Sequence, residues 1–230
     1  MKLTKMILVA TMAAVLLVGV SARAGMYTTP AEAAIPVGNP VGISSTITSS
    51  GFVGTISSLT VTLDITGGNN GDLVGYLSYD GVVVTLLNRP GVTTGNPIGS
   101  MGQGFNVTIY DSPSLLNLNN ALEAAGQQVQ GNYNVNGTAS LSGIGQNDGS
   151  AAFATAYGGM DPNGTWTLFL ANDVAGGQAS TLVSWGVSIN AVPEPTNVAL
   201  GIFGVCAAAA RLRAGWKKFR PSLKSIAERI

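Results

Sequence analysis

Between residues 59 and 65 the chain alternates with a period of two. Leu59, Val61, Leu63 and Ile65 fall on one side of an extended backbone, and Thr60, Thr62 and Asp64 fall on the other. A helix cannot sort this pattern onto one face, because its side chains recur every 3.6 residues. The segment is therefore a strand with one buried face. The same alternation returns in 165–171, with Trp166, Leu168 and Leu170 on one face, and in 183–189, with Val183, Trp185, Val187 and Ile189 on one face. Residues 105–110 read as a further strand. Residues 66–71, rich in Gly and Asn, read as a loop. Residues 72–78 and 82–87 flank Tyr79-Asp80-Gly81, and Asp-Gly is a strong turn signal, so a β-hairpin is expected there. From 88 to 150, Gly, Asn and Ser interrupt every run, and 115–130 reads either as one short helix or as a long connection. Short strands, glycine-rich turns and no βαβ rhythm predict an all-β domain built as a β-sandwich.

Charge removes several functions from consideration. Between Gly25 and Val192 the one cation is Arg89, against Glu32, Asp64, Asp72, Asp80, Asp111, Glu123, Asp148, Asp161 and Asp173, a net charge of −8. Binding to a nucleic-acid backbone needs Lys and Arg to displace counterions, so no nucleic-acid partner is expected. Histidine is absent from the 230 residues, and the single cysteine, Cys206, lies in the C-terminal apolar run, where it reads as a small apolar residue more readily than as a lipidation site. With no His, Cys or Lys between Gly25 and Val192, that segment lacks a base to activate a nucleophile and a ligand set for zinc. No catalytic residue is assigned and the chain is expected not to be an enzyme.

Oxygen ligands are what remains. Asp161-Pro162-Asn163-Gly164 offers oxygens on a turn, and Asp72 and Asp173 stand at strand ends, so Asp72, Asp161, Asn163 and Asp173 are the calcium candidates. Against this stands a reading in which Asp161 and Asn163 only shape the turn before the Trp166 strand. No other cofactor is expected. Paired carboxylates for glycoside hydrolysis are the less favoured use of the same acids. Trp166 and Trp185 lie on alternating apolar faces and read as core. A sugar-binding face would draw instead on Tyr76, Tyr79, Tyr110, Tyr133 and Tyr157.

The two ends read as targeting segments. Lys2 and Lys5 precede an apolar or small run over 7–20, and Ala22-Arg23-Ala24 fits the small-x-small rule for signal peptidase, with Gly25 as the mature N-terminus. Residues 1–24 are thus expected to be a helical signal peptide. At the other end Pro193-Glu194-Pro195 precedes an apolar run over about 196–210 and then a basic stop of Arg211, Arg213, Lys217, Lys218 and Arg220. A helix of that length spans only about 22 Å of the roughly 30 Å hydrocarbon core. Snorkelling by Arg211 and Arg213 closes the difference, and the basic end stays cytoplasmic.

In its order of motif, apolar run and basic cluster, the segment from about 192 to 220, within an expected sorting tail over 192–230, resembles the PEP-CTERM sorting signal, which a membrane-embedded exosortase recognises and cleaves. The tail beyond Pro221 is longer than that family usually shows. A permanent single-pass anchor is the other reading.

A second resemblance lies in the centre. Ile56-Ser57-Ser58-Leu59-Thr60-Val61, Gly71-Asp72-Leu73, Leu77, Gly81 and Leu86, then Gly164-Thr165-Trp166-Thr167-Leu168, Asp173, Leu182 and Trp185, resemble in order and spacing the P/Homo B domain that accompanies subtilisin-like proprotein convertases. This resemblance implies a jelly-roll-like sandwich over 43–191, with 25–42 as an N-terminal linker. Thr66 stands where that family usually has a histidine, Asp80 where proline is frequent and Ser180 where glycine is usual. Together the two resemblances imply a non-catalytic exported protein of the cell surface or extracellular matrix. It would meet signal peptidase, an exosortase and, transiently, the inner membrane, with exopolysaccharide as a further partner. A carbohydrate- or calcium-binding adhesion module is the alternative, and a carboxylate-dependent hydrolase is the third.

Overall fold

The computed structural model describes residues 23–135, 152–193, 203–204, 206–211 and 213. Contacts divide the chain into two units, Ala22–Val192 and a second unit containing the two ends. In the second unit the described residues 203–204, 206–211 and 213 are helical, and Arg211 and Arg213 are exposed on that helix. Among the described residues no helix is long and apolar enough to cross a membrane. Residues 1–22 of the expected signal peptide, most of the expected span over 196–210, Glu194, Pro195, Lys217, Lys218 and Arg220 lie outside the described residues.

The larger unit is an all-β sandwich. Its described strands are β1 (Arg23–Ile35), β2 (Asn39–Ser49), β3 (Thr55–Gly67), β4 (Leu73–Tyr79), β5 (Val82–Asn88), β6 (Gly104–Tyr110), β7 (Val129–Asn134), β8 (Gly164–Asn172) and β9 (Ser180–Val192). One sheet runs β1-β9-β3-β6-β7 and the other β2-β8-β4-β5. All pairings are antiparallel except β6 with β7. The chain crosses between the sheets at almost every connection, so most pairs join segments far apart in sequence. The last two strands are both interior: β8 lies between β2 and β4, and β9 between β1 and β3.

Alternation explains the two faces. Leu59, Val61, Leu63 and Ile65 of β3, Phe105, Val107 and Ile109 of β6, and Trp185, Val187 and Ile189 of β9 meet Leu73, Leu77, Trp166, Leu168 and Leu170 of the opposite sheet in one core. The outer positions of β3 and β6 pair Thr60 with Tyr110, Thr62 with Thr108 and Asp64 with Asn106. Val183 departs from the expected face. An irregularity sets Ser184 opposite Asp64 but Leu182 opposite Ile65, so Val183 is the extra residue of a bulge and Leu182 enters the core instead.

The hairpin follows the sequence reading. Asp80 and Gly81 both adopt positive φ, 46° and 78°, the geometry of a two-residue turn whose twist matches that of the flanking strands. In the middle of the chain, 115–130 contains a single 3₁₀ turn, Leu118–Asn120, before β7, so of the two alternatives the connection is realised. A short helix α1 (Phe153–Tyr157), unsignalled in the sequence, presents Phe153 and Tyr157 to the core.

The N-terminal linker expected over 25–42 is instead β1 and the start of β2. Gly25, Tyr27, Thr29, Ala31 and Ala33 face partly inward between exposed residues, and Ile35 is fully buried. Pairing to β9, rather than local hydrophobicity, makes this segment a strand.

Two tryptophans close the sandwich. Trp185 of β9 donates its indole N–H to Ser45 Oγ of β2 at 2.8 Å, a bond between the two sheets. Trp166 donates to Ser49 Oγ at 3.1 Å, stacks on Tyr79 at a centroid distance of 4.0 Å and meets the edge of Tyr157 at 5.2 Å. Tyr157 donates in turn to the Leu77 carbonyl at 2.8 Å, and its burial pushes the phenol pKa well above the ordinary value. Trp166→Ala is expected to cost about 3–5 kcal/mol, from lost burial and a cavity that the surrounding rings cannot fill. Denaturant unfolding followed by far-ultraviolet circular dichroism checks this, and a loss under about 1 kcal/mol would refute the tight packing inferred for the ring.

Candidate functional site

The four calcium candidates do not form one site. Asp161 and Asn163 precede β8, while Asp173 follows it and Asp72 precedes β4. Nine residues of extended chain in β8 separate the two groups by roughly 25–30 Å.

At the Asp161 end the oxygens are already engaged. Asp161 Oδ1 accepts from the Asn163 backbone N–H at 2.9 Å and from Asn163 Nδ2 at 2.7 Å. Asn163 in turn pairs with the backbone of Phe52, its Oδ1 accepting from Phe52 N at 2.8 Å and its Nδ2 donating to Phe52 O at 3.1 Å. The side chains shape the turn and tie it to the 50–54 segment, the structural alternative stated for them above.

The same device recurs at two buried asparagines. Asn70 Oδ1 accepts from Gly104 N at 2.7 Å and Asn70 Nδ2 donates to Gly104 O at 3.0 Å. A Cβ on Gly104, whose φ is 96°, would lie 2.0 Å from the Ile65 carbonyl oxygen, so only glycine brings the backbone this close. Asn119 accepts from Asn88 N at 2.6 Å and donates to Leu86 O at 3.3 Å. Each amide side chain presents a donor and an acceptor, so one residue in a connection satisfies two backbone groups of an adjoining strand, Gly104 of β6 for Asn70 and Asn88 and Leu86 of β5 for Asn119.

At the other end Asp72 and Asp173 do come together. The Asp173 backbone N–H donates to the Asp72 carbonyl at 3.0 Å, extending the β4–β8 ladder beyond Leu73 and Asn172. Asp72 is buried, 3% exposed as a residue, and the contact its carboxylate receives from Asn69 Nδ2 is long, at 3.5 Å. The Arg89 side chain reaches the neighbouring Gly71 carbonyl through Nε at 3.0 Å. Burial raises the Asp72 pKa, and the Asn69 hydrogen bond and the Arg89 charge counter this only in part. Tyr76 lies close enough for Asp173 to add to the rise that burial causes in the phenol pKa. This end gathers two carboxylates, one guanidinium and a phenol. Among the described residues no group of three or more His, Cys, Asp or Glu is arranged to hold a metal.

Three other acids of the sandwich have structural roles. Asp111 accepts from the backbone N–H groups of Phe153 and Ala154 at 2.6 and 2.8 Å, so both its oxygens cap α1. Asp64 accepts from Gln128 Nε2 at 3.2 Å, and Asp80 occupies the hairpin turn.

Nor do the five tyrosines share a face. Tyr79 and Tyr157 are core residues. Tyr76 lies on the outer side of the four-stranded sheet, stacked on Phe169 at 5.8 Å. Tyr110 stands opposite Thr60 on the outer side of the other sheet, and Tyr133 packs partly against the core. Sequence reasoning missed the bidentate role of Asn70 and Asn119. The abundance of Asn in loops is its one visible trace.

Because the Asp72 pKa is raised in the folded state, folding binds a proton more tightly there than the unfolded chain does. Its penalty is absent below the unfolded value of 3.8 and develops as pH rises from there through the raised folded value. Asp72→Asn is therefore expected to raise Tm at pH 7, with the gain narrowing toward pH 3.5. Thermal melts at the two pH values check this, and a variant less stable than the parent at pH 7 would mean that partners fully support the charge.

Comparison with known proteins adds a distant likeness. No family model matches the chain, and no curated protein matches it. Among solved structures, the chain is similar to the Aeromonas sobria serine protease in complex with its chaperone, at 14% identity and a TM-score of 0.45, covering 76% of this chain and 28% of that one. The serine protease of Aeromonas sobria crystallised by itself gives 14% identity and a TM-score of 0.41, covering 74% of this chain and 27% of that one. The chain thus spans under a third of the length of the solved structures it matches.

Proposed function

We propose that this protein is a non-catalytic exported β-sandwich of the jelly-roll kind, delivered by its N-terminal signal peptide and sorted at the envelope through the Pro193-Glu194-Pro195 tail. An exosortase is its processing enzyme, and the cell surface or extracellular matrix its destination. The P/Homo B and PEP-CTERM resemblances carry the family part of this reading.

The observation that supports it most is the pairing of Arg23 with Ala191. The first residue of β1 and the penultimate residue of β9 face each other across an antiparallel ladder, where paired Cα atoms are about 5 Å apart. Both chain ends therefore leave the sandwich at the same end of the same strand pair. After removal of residues 1–24 the ladder still begins with Gly25 opposite Ile189, so the new N-terminus stays at the end of the sandwich from which the tail departs. The compact unit stops at Val192, directly before Pro193.

The residue types at the boundary fit the same role. Pro193 has no N–H to donate, so it cannot prolong the ladder that Val192 makes with Thr55. Pro195 repeats this two residues on. In an extended chain, residues two apart point their N–H groups to the same side, so this proline pair blocks pairing along one edge. A segment that cannot be drawn into the sheet stays open to a protease that reads extended backbone.

Glu194→Ala should leave the sandwich folded and stop removal of the tail. Intact-mass measurement of the protein recovered from its host, with and without the exosortase, checks this. A C-terminus retained in both hosts would identify a permanent anchor and defeat the sorting reading.

A further inference from the structure

The bond that the signal-peptide motif marks for cleavage, Ala24–Gly25, is inside a folded strand. Ala24 pairs with Asn190 and Gly25 with Ile189, two and three residues into β1. Contacts from the 50–52 segment add to the ladder. Arg23 donates to the Gly51 carbonyl and lies 5.5 Å from the centre of the Phe52 ring. Tyr27 donates to the Ser50 carbonyl at 2.9 Å, and a Cβ on Gly25 would fall 2.5 Å from Phe52 Cζ, so that ring rests directly on the Gly25 backbone. A peptidase that takes the residues before its scissile bond as an extended strand needs them free of other partners.

The order of the chain decides when they are free. Among the described residues β1 pairs with β9 alone, and β9 is the last strand. Until residues 180–192 have emerged and docked, β1 has no sheet partner. The next strand is in the same position, because β2 pairs with β8 alone.

We propose that docking of β9 closes the signal-peptide cleavage site, so that the cut at Ala24–Gly25 has to precede completion of the sandwich. This inference rests on the signal-peptide reading. After the cut Gly25 is the N-terminus. The pairs of Tyr27 with Val187 and Thr29 with Trp185 keep the shortened strand in the sheet, while the Arg23 contacts are lost. The last strand thereby sets the order of processing: N-terminal removal first, closure second, with the tail segment beyond Val192 left outside the ladder.

The test uses the full-length precursor in detergent, diluted from denaturant into folding conditions and exposed to purified signal peptidase after increasing delays. Product cut at Ala24–Gly25 is quantified by intact mass, and folding is followed by tryptophan fluorescence. The cleavable fraction is expected to fall at least about tenfold, with the same rate constant as the fluorescence change, because cleavage of a folded chain has to wait for local opening. Val187→Pro, which breaks the centre of β9, is expected to remain cleavable at every delay. Equal cutting of the wild-type precursor before and after folding overturns the gating inference and leaves the signal-peptide reading standing. No cut at Ala24–Gly25 at the earliest delay, or in Val187→Pro, overturns the signal-peptide reading and the inference with it.

Discussion

The sandwich depends on the insertion of its two C-terminal strands between strands formed from much earlier parts of the chain. β9 separates β1 from β3 and β8 separates β2 from β4, so the first two strands have no sheet partner until the last two arrive. Trp185 and Trp166 ride on these two strands. Trp185 reaches across the core to Ser45, and Trp166 organises Tyr79 and Tyr157 around its own ring. The most buried aromatic surface is therefore delivered last. Loop-closure entropy has to be met before these non-local contacts reward it, which makes such a topology slow to fold.

Loops are tied mainly by neutral amides, beside a few charged contacts such as Arg89 on the Gly71 carbonyl and Asp111 on the start of α1. The described sandwich contains few cations, and its buried loop contacts are made by amides: Asn163 on Phe52, Asn70 on Gly104, Asn119 on Asn88 and Leu86. An amide offers a donor and an acceptor with no net charge, so it satisfies a buried peptide group without the desolvation cost of an ion. Asp72 is the exception. It is buried with one long amide contact and a neighbouring guanidinium, and its raised pKa records the cost.

The candidate site was legible only in fragments. The motif Asp161-Pro162-Asn163-Gly164 was visible, and so was the alternative that it merely shapes a turn. What the sequence could not convey is that the Asn163 amide is used up on Phe52, a residue 111 positions away. Asp72 and Asp173 both stood out as acids at strand ends, and their convergence follows from the pairing of β4 with β8. That same strand sends Asp161 to the opposite end. The tyrosines behaved likewise: their spacing was plain, but whether each faced the core depended on register.

By itself the sequence determined the faces and turns of the hydrophobic strands. A period of two fixes which side chains share a face, and Asp80-Gly81 fixes a turn by its tolerance of positive φ, both within a few residues of chain. It also determined the charge and the absence of histidine that bound the chemistry. Only the tertiary structure decided which strands are neighbours, that residues 23–35 are a strand at all, and that Val183 yields its place in the core to Leu182. In β1 the inward positions Gly25, Thr29, Ala31 and Ala33 outnumber Tyr27 and Ile35, and Met26, Ala24 and Ala34 stand on the exposed side, so the contrast in hydrophobicity is too small to reveal a buried face. Its conformation is imposed by β9, some 160 residues later, because backbone hydrogen bonding to a partner strand is indifferent to the side chains that periodicity reads.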